Sequence, residues 1–154
     1  MKPSVRTCLW FDDDGEAAAK YYVSLLPDSH LEDTYQPDPE KPPMVVNFTL
    51  SGVPYQILNG GPHFTQSEAA SISVVVKDQT EADRLWEALT ADGGKESQCG
   101  WLKDRWGVSW QIVPHPVLDM LMAKDRKAAE RATEAMMKMQ RLDVAEMRKA
   151  FDGA

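Results

Sequence analysis

Residues 107–113 read GVSWQIV and residues 52–58 read GVPYQIL, so one strand-like phrase, a turn glycine followed by a lone glutamine among apolar neighbours, is written twice. Successive side chains of a strand point to opposite faces. Val108, Trp110 and Ile112 therefore share one face, and Ser109, Gln111 and Val113 the other. By the same alternation Tyr55 and Ile57 pack together, leaving Gln56 and Leu58 opposite. A glutamine on such a face marks the side that is not core, and its recurrence points to a duplicated chain.

The duplication extends upstream. Residues 5–26 lie over residues 70–91 at a constant offset of 65, strand on strand and helix on helix. VRTCLWF leads into DDDGEAAAKYYVSLL, and ASISVVV leads into KDQTEADRLWEAL. Asp13 and Glu16 fall where Asp78 and Glu81 fall, the Asp-x-x-Glu spacing of a capping box. Asp12, Asp13 and Asp14 are accordingly read as a helix start and not as a metal site, because a helix N-terminus favours negative charge. Ala18, Tyr21, Tyr22 and Leu25, like Ala82, Leu85, Trp86 and Leu89, keep the spacing of a helix laid on a sheet. On the opening strands Leu9 and Phe11, with Val74 and Val76, go to the core. Arg6, Cys8 and Trp10, with Ser71, Ser73 and Val75, go to the glutamine face.

Between each helix and its glutamine strand lie two more strand-like runs, HLEDTY with MVVNFTL and KESQC with GWLKDRW. Each half reads βαβββ. The fold class is α+β, a single domain over 1–154 with modules at 4–62 and 70–114 and a helical tail at 115–154. QPDPEKPP, residues 36–43, has four prolines in eight positions and is read as an extended linker in preference to a flap beside a pocket. Lys103, Asp104 and Arg105 precede Trp106-Gly107 and read as solvated charges of a hairpin turn. Trp101, Trp106 and Trp110 read as core aromatics. In the tail, Leu118, Leu121 and Met122, then Ala129, Ala132, Met136 and Met139, form helix-period apolar positions. Asp143 with Glu146 supplies another helix start, and the methionine stripe is expected to pack on the domain or across a homodimer.

The chain has 154 residues, 43% of them hydrophobic, and a net charge of −7. Upstream of Pro114 there are 9 basic against 17 acidic residues. That balance argues against nucleic-acid binding by phosphate neutralisation. No apolar run reaches the roughly 18 residues of a membrane span, and the N-terminal residues do not read as a signal peptide, so a cytoplasmic protein without membrane contact is expected. Cys8 and Cys99 are expected to be free thiols.

The tandem βαβββ modules, each closing on a strand after a glycine-containing turn, resemble the vicinal oxygen chelate superfamily, the glyoxalase and bleomycin-resistance fold. LNGGPHF at 58–64, QCGWLKDRWGVSWQIVP at 98–114 and AMMKMQRLDVAEM at 135–147 resemble its PhnB-like branch. Members often carry the label 3-demethylubiquinone-9 3-methyltransferase. The resemblance implies a mixed sheet curled around a cavity, helices on its outer face, and in several relatives a homodimer that completes the cavity. It also implies a divalent metal held, in active members, by the first and last strands of each module.

At those positions stand Cys8 or Arg6 and Gln56 in the first module, Ser73 and Gln111 in the second. Gln56 and Gln111 resemble the places where metal-dependent relatives carry glutamate. Neutral amides are poor ligands beside carboxylate or imidazole, and an inward Arg6 would repel a cation. Cys8, Trp10, Gln56, Ser73 and Gln111 are therefore expected to line a pocket for a small organic molecule, with no cofactor. The alternative is a metal-dependent lyase, isomerase or dioxygenase with Gln56 and Gln111 as ligands and His63 or Cys8 nearby. His63 follows a flexible Asn-Gly-Gly-Pro turn and is a candidate acid, base or ligand, or else a plain surface histidine. Cys8 is read as a candidate nucleophile or, more simply, a buried structural thiol. His30 and His115 read as surface residues. Methyl transfer is disfavoured, since no glycine-rich loop leads from a strand into a helix to hold a methyl donor.

Overall fold

The apolar runs of the opening and glutamine strands become β1 (Thr7–Phe11) and β4 (Val53–Asn59), hydrogen-bonded side by side and parallel. A parallel pair needs a crossover. Here α1 (Gly15–Leu25), β2 (His30–Tyr35) and β3 (Val45–Leu50) provide it, giving a four-stranded sheet of order β1-β4-β3-β2. The structure, a computed structural model, describes Met1–Ala154, and its chain forms two compact units, Met1–Gln66 and Ser67–Ala154.

In the first unit Leu9, Phe11, Val46, Phe48, Leu50 and Ile57 form the core face, and α1 lays Ala18, Ala19 and Tyr22 on it. Phe48 stacks on Tyr55 at 5.5 Å between ring centroids. The expected Asp13–Glu16 capping box is not formed. Asp14 is the N-cap and its side chain makes no capping bond, while Glu16 pairs with Lys20 at 2.8 Å. The first helical N–H, that of Gly15, donates to Asn59 Oδ1 at 2.9 Å. The cause is close packing: a Cβ on Gly15 would lie 2.1 Å from Ile57 Cγ2, so the helix starts pressed against β4 and takes its cap from there.

The second unit repeats the design. β5 (Ser71–Val76) pairs parallel to β8 (Ser109–Pro114), with α2 (Gln79–Thr90), β6 (Lys95–Glu96) and β7 (Trp101–Lys103) between them, in the order β5-β8-β7-β6. Cys8 faces Gln56 across β1–β4, and Ser73 faces Gln111 across β5–β8. The registers are the same, as the duplication requires. Asp78 does cap α2, accepting from the Glu81 N–H at 3.0 Å, but the Glu81 carboxylate turns to Arg84 and the reciprocal bond is not made. Ile72, Leu85, Trp86, Leu89, Leu102, Trp110 and Ile112 are buried between α2 and the sheet.

Asp104 departs from the expectation of a solvated turn charge. It is 3% exposed, and its Oδ1 accepts from the N–H groups of Trp106 (2.9 Å) and Val108 (3.0 Å) while Oδ2 accepts from Trp110 Nε1 at 2.9 Å. The β7–β8 turn folds its donors inward, and one carboxylate is the acceptor that satisfies three of them at once. Lys103 and Arg105 are the charges that do reach outward, to Glu68 at 2.6 Å and Asp92 at 3.0 Å.

The tail forms α3 (His115–Leu121), α4 (Arg126–Met136) and α5 (Val144–Asp152). Its core is Val117, Met120, Ala132, Leu142 and Met147, with Met136 and Met139 packed against it. The buried positions of α3 are Val117 and Met120 and not the expected Leu118 and Met122, the latter 79% exposed. Leu121 is half-buried against the cluster. The tail is hydrogen-bonded to the second module: the N–H groups of Cys99 and Gly100 donate to the carbonyls of Met139 and Gln140, and Gln79 binds both Leu142 O and the Val144 N–H.

Replacing Asp104 by Asn keeps the shape but puts an NH2 where three donors converge. We expect a loss of about 2–3 kcal/mol in urea denaturation, with the slope unchanged.

Candidate functional site

The glutamine face of the first unit carries a chain of polar side chains running across the sheet. Gln56 Nε2 donates to Asn47 Oδ1 at 3.0 Å, Asn47 Nδ2 donates to Asp33 Oδ1 at 3.3 Å, and Lys2 pairs with Asp33 at 2.8 Å. These contacts hold the Asp33 carboxyl down to about 2, the bond from Lys2 being the largest cause. An ionised Asp33 only accepts. It fixes the NH2 of Asn47 toward itself, which turns Asn47 Oδ1 to Gln56 and so takes up the NH2 of Gln56. The Gln56 carbonyl oxygen is left as the group available to a ligand, on the strand opposite Cys8. Asn47 and Asp33 were not read from the sequence as site residues; the signal that finds them is pairing register, Asn47 opposite Gln56.

In the second unit Gln111 Nε2 donates to Ser71 Oγ at 2.9 Å, and its neighbours in register are Ser73 on one side and Trp101 on the other. Its NH2 is again engaged in the sheet face. The duplicated glutamines thus share a register position and the engagement of their NH2 group, although the partner is an amide in one unit and a hydroxyl in the other.

Cys8 is exposed, not buried as the structural reading expected. Partial burial of its sulfur pushes the thiol up, against a smaller lowering by a backbone hydrogen bond from Leu58, so thiolate is disfavoured. Both cysteines are free. Trp10 is spoken for: its Nε1 donates to Gly61 O at 2.8 Å, and Phe64 meets its ring edge-on at 4.9 Å between centroids. A Cβ on Gly60 would lie 2.4 Å from the indole, and Gly61 has φ +89°. LNGGPHF is thereby explained as the backbone that closes over Trp10, whose carbonyl also accepts from Gln66 Nε2. His63 is exposed, with its ring 6.4 Å from that of Trp10 between centroids.

Arg6 does not present a free charge. It is ion-paired with Glu32 and donates to Tyr55 O at 3.0 Å, while Thr49 Oγ1 donates to Glu32 at 2.7 Å. The expectation that Arg6 would repel a cation is therefore replaced by a neutralised, structural pair. The proline-rich segment also differs from a plain linker. Pro37, Asp38, Lys41, Pro42 and Met44, with Asp12, Asp13 and Asn59, line a cleft of about 280 Å³, and Asn59 Nδ2 ties the loop down through Pro43 O at 2.8 Å.

The donors bear on the metal implied by the superfamily resemblance. Each module offers one neutral amide oxygen, beside a thiol in the first and a hydroxyl in the second, and the chain has no group of three or more His, Cys, Asp or Glu able to hold a metal ion. Tight divalent sites use several carboxylate, imidazole or thiolate donors. These residues do not fit one.

Glu32 is held below its ordinary carboxyl value, chiefly by the hydrogen bond from Arg6 and next by that from Thr49. A depressed folded value means that the stabilisation is complete above the unfolded value of about 4.3 and is lost as pH falls through the folded one. Urea stability should thus fall more steeply between about pH 5 and pH 3 in the wild type than in Glu32→Gln. Parallel curves would show that the pair contributes nothing.

The sequence model of the family described as 3-demethylubiquinone-9 3-methyltransferase matches residues 3–113. Among solved structures, the PhnB protein from Bacillus cereus, which carries the same methyltransferase label, is 26% identical with a TM-score of 0.67 over 73% of this chain and 99% of its own. A protein from Pseudomonas aeruginosa is 22% identical with a TM-score of 0.60, over 73% of this chain and 98% of its own. The genomically encoded fosfomycin resistance protein FosX from Listeria monocytogenes, solved with Mn(II) and sulfate, is 13% identical with a TM-score of 0.50, over 74% of this chain and 90% of its own. The last two likenesses are of fold. A search of curated proteins returned no match.

Proposed function

We propose a ligand-binding function for this chain, which belongs to the 3-demethylubiquinone-9 3-methyltransferase (PhnB-like) family: it binds a small organic molecule on the glutamine faces of its sheets, without a tight catalytic metal. The observation that carries this is the orientation of the amides. Gln56 gives its NH2 to Asn47, and Gln111 gives its NH2 to Ser71. Each then offers a neutral carbonyl oxygen, an acceptor suited to a hydroxyl or amine donor on a ligand. Cys8 and Ser73 stand beside them in register. Trp10 contributes the apolar edge it shows beyond its contacts with Gly60 and Phe64.

The family's label is not adopted as an activity. The glycines Gly60 and Gly61 follow a strand, but they lead into a turn that holds Trp10 and open no helix for a methyl donor. A metal-dependent lyase, isomerase or dioxygenase is the second reading, because the free Gln56 and Gln111 oxygens are the atoms a metal would use. The weak donors around them, and the raised thiol of Cys8, favour binding alone. On this reading the protein works as a cytosolic homodimer. Its net charge of −7 disfavours nucleic acid, and none of its helices is long and apolar enough to cross a membrane.

Gln56→Leu and Gln111→Leu test the proposal directly. In a fragment screen followed by ¹H–¹⁵N spectra of the full chain, both variants should fold and lose hits that carry a hydroxyl or amine, by about tenfold or more in affinity. Unchanged binding in both would remove the glutamines from the site. Global unfolding of either would show that the amides serve the fold.

A further inference from the structure

We infer that the glutamine face of the second unit contains a subsite for a small organic oxyanion, a carboxylate or phosphate group, held by Lys95 and Lys103 with the Ser109 hydroxyl at its floor. This rests on the ligand-binding reading above and specifies the charge of part of the ligand. Ser109 is 1% exposed and its Oγ has no hydrogen-bond partner. Buried hydroxyls are ordinarily paired, because leaving one unpaired forfeits its hydration for nothing. Ser109 is one of the residues lining a cleft of about 200 Å³, together with Lys95, Lys103, Trp101, Ser97 and Glu68, and its buried hydroxyl lies directly beneath that lining.

Register explains why these groups meet. Ser71 pairs with Ser109, Ser109 with Lys103, and Lys103 with Lys95, so two serines and two lysines form one row across the sheet. Trp101 stands one row away, opposite Gln111, where its ring can cover an apolar body. Of the two carboxylates at the cleft, that of Glu96 accepts from Trp86 Nε1 at 2.6 Å. The other, Glu68, sits 2.6 Å from Lys103 Nζ and is itself 64% exposed. Glu68 thus places a carboxylate where the ligand's oxyanion would go, as an exchangeable internal stand-in. The cleft is smaller than the roughly 300–1,000 Å³ of drug-sized ligand sites, which limits the occupant to a compact molecule.

The test is ¹H–¹⁵N spectroscopy of the full chain titrated separately with inorganic phosphate and with benzoate. Saturable shifts at Trp101, Lys103 and Ser109 are expected with at least one anion, and whichever binds tighter assigns the phosphoryl or the carboxylate class. Lys95→Ala combined with Lys103→Ala should weaken binding about tenfold or more, while Glu68→Gln should tighten it. Ser109→Ala should weaken binding yet melt no lower than the wild type, since it removes an unpaired hydroxyl. No shift with either anion, shifts unchanged in the double lysine variant, or a lowered melting point in Ser109→Ala without loss of binding would each overturn the inference. Fragment hits that move Gln56 and Gln111 while both anions leave Ser109 unmoved would sink the oxyanion subsite and leave the glutamine reading standing.

Discussion

Everything on the glutamine faces depends on the parallel pairing of the first and last strands of each module. Parallel neighbours cannot be joined by a hairpin, so the chain must cross over, and it does so with a helix and two further strands. The crossover buries one face of the sheet and leaves the other for polar residues. Alternation fixes the face each residue takes, and the parallel register sets Cys8 opposite Gln56 and Ser73 opposite Gln111. A slip of one position would send both glutamines into cores built from Ile57 and Phe48 or from Trp110 and Ile112, where an unpaired amide is costly.

The two modules have kept that frame while their polar details have diverged. In the first, a charged end point, Asp33, orients two amides in sequence and dictates what Gln56 offers. In the second, serine replaces the amide relay, and the last two strands of the sheet, β7 and β6, carry Lys103 and Lys95. The result is one fold used twice with unlike chemistry: neutral hydrogen-bond acceptors on both faces, and a cationic row added on one. Neither face assembles the several carboxylate, imidazole or thiolate donors of a tight divalent site, and the family name and the fold say less about what the protein does than the side chains do.

Much of this was legible in the sequence, for reasons tied to period. The duplication shows as a constant offset of 65, the βαβββ order as a change between strand and helix periods, and the facing of Gln56, Gln111, Cys8 and Ser73 as two-residue alternation, all of which a reader can count. What escaped depends on contacts that no period encodes. Lys-Asp-Arg before Trp-Gly looks like any polar turn, and only the convergence of two N–H groups and an indole makes Asp104 a buried acceptor. Three consecutive aspartates leave a helix start ambiguous, and the close approach of Gly15 to Ile57 decides it. The seven-residue α3 is too short for its periodicity to separate Val117 and Met120 from Leu118 and Met122. The cleft beside the proline-rich loop and the unpaired hydroxyl of Ser109 likewise need the tertiary structure to be seen.

The central claim is that the glutamines present ligand acceptors in place of a catalytic metal site. It is tested most directly by elemental analysis of untagged protein purified without chelators, followed by calorimetric titration with Mn, Fe, Co, Ni and Zn. The account predicts no near-stoichiometric metal after purification and no saturable binding in the titrations. Near-stoichiometric metal, released by Gln56→Leu or Gln111→Leu, would contradict it and make the carbonyl oxygens of the glutamines metal ligands.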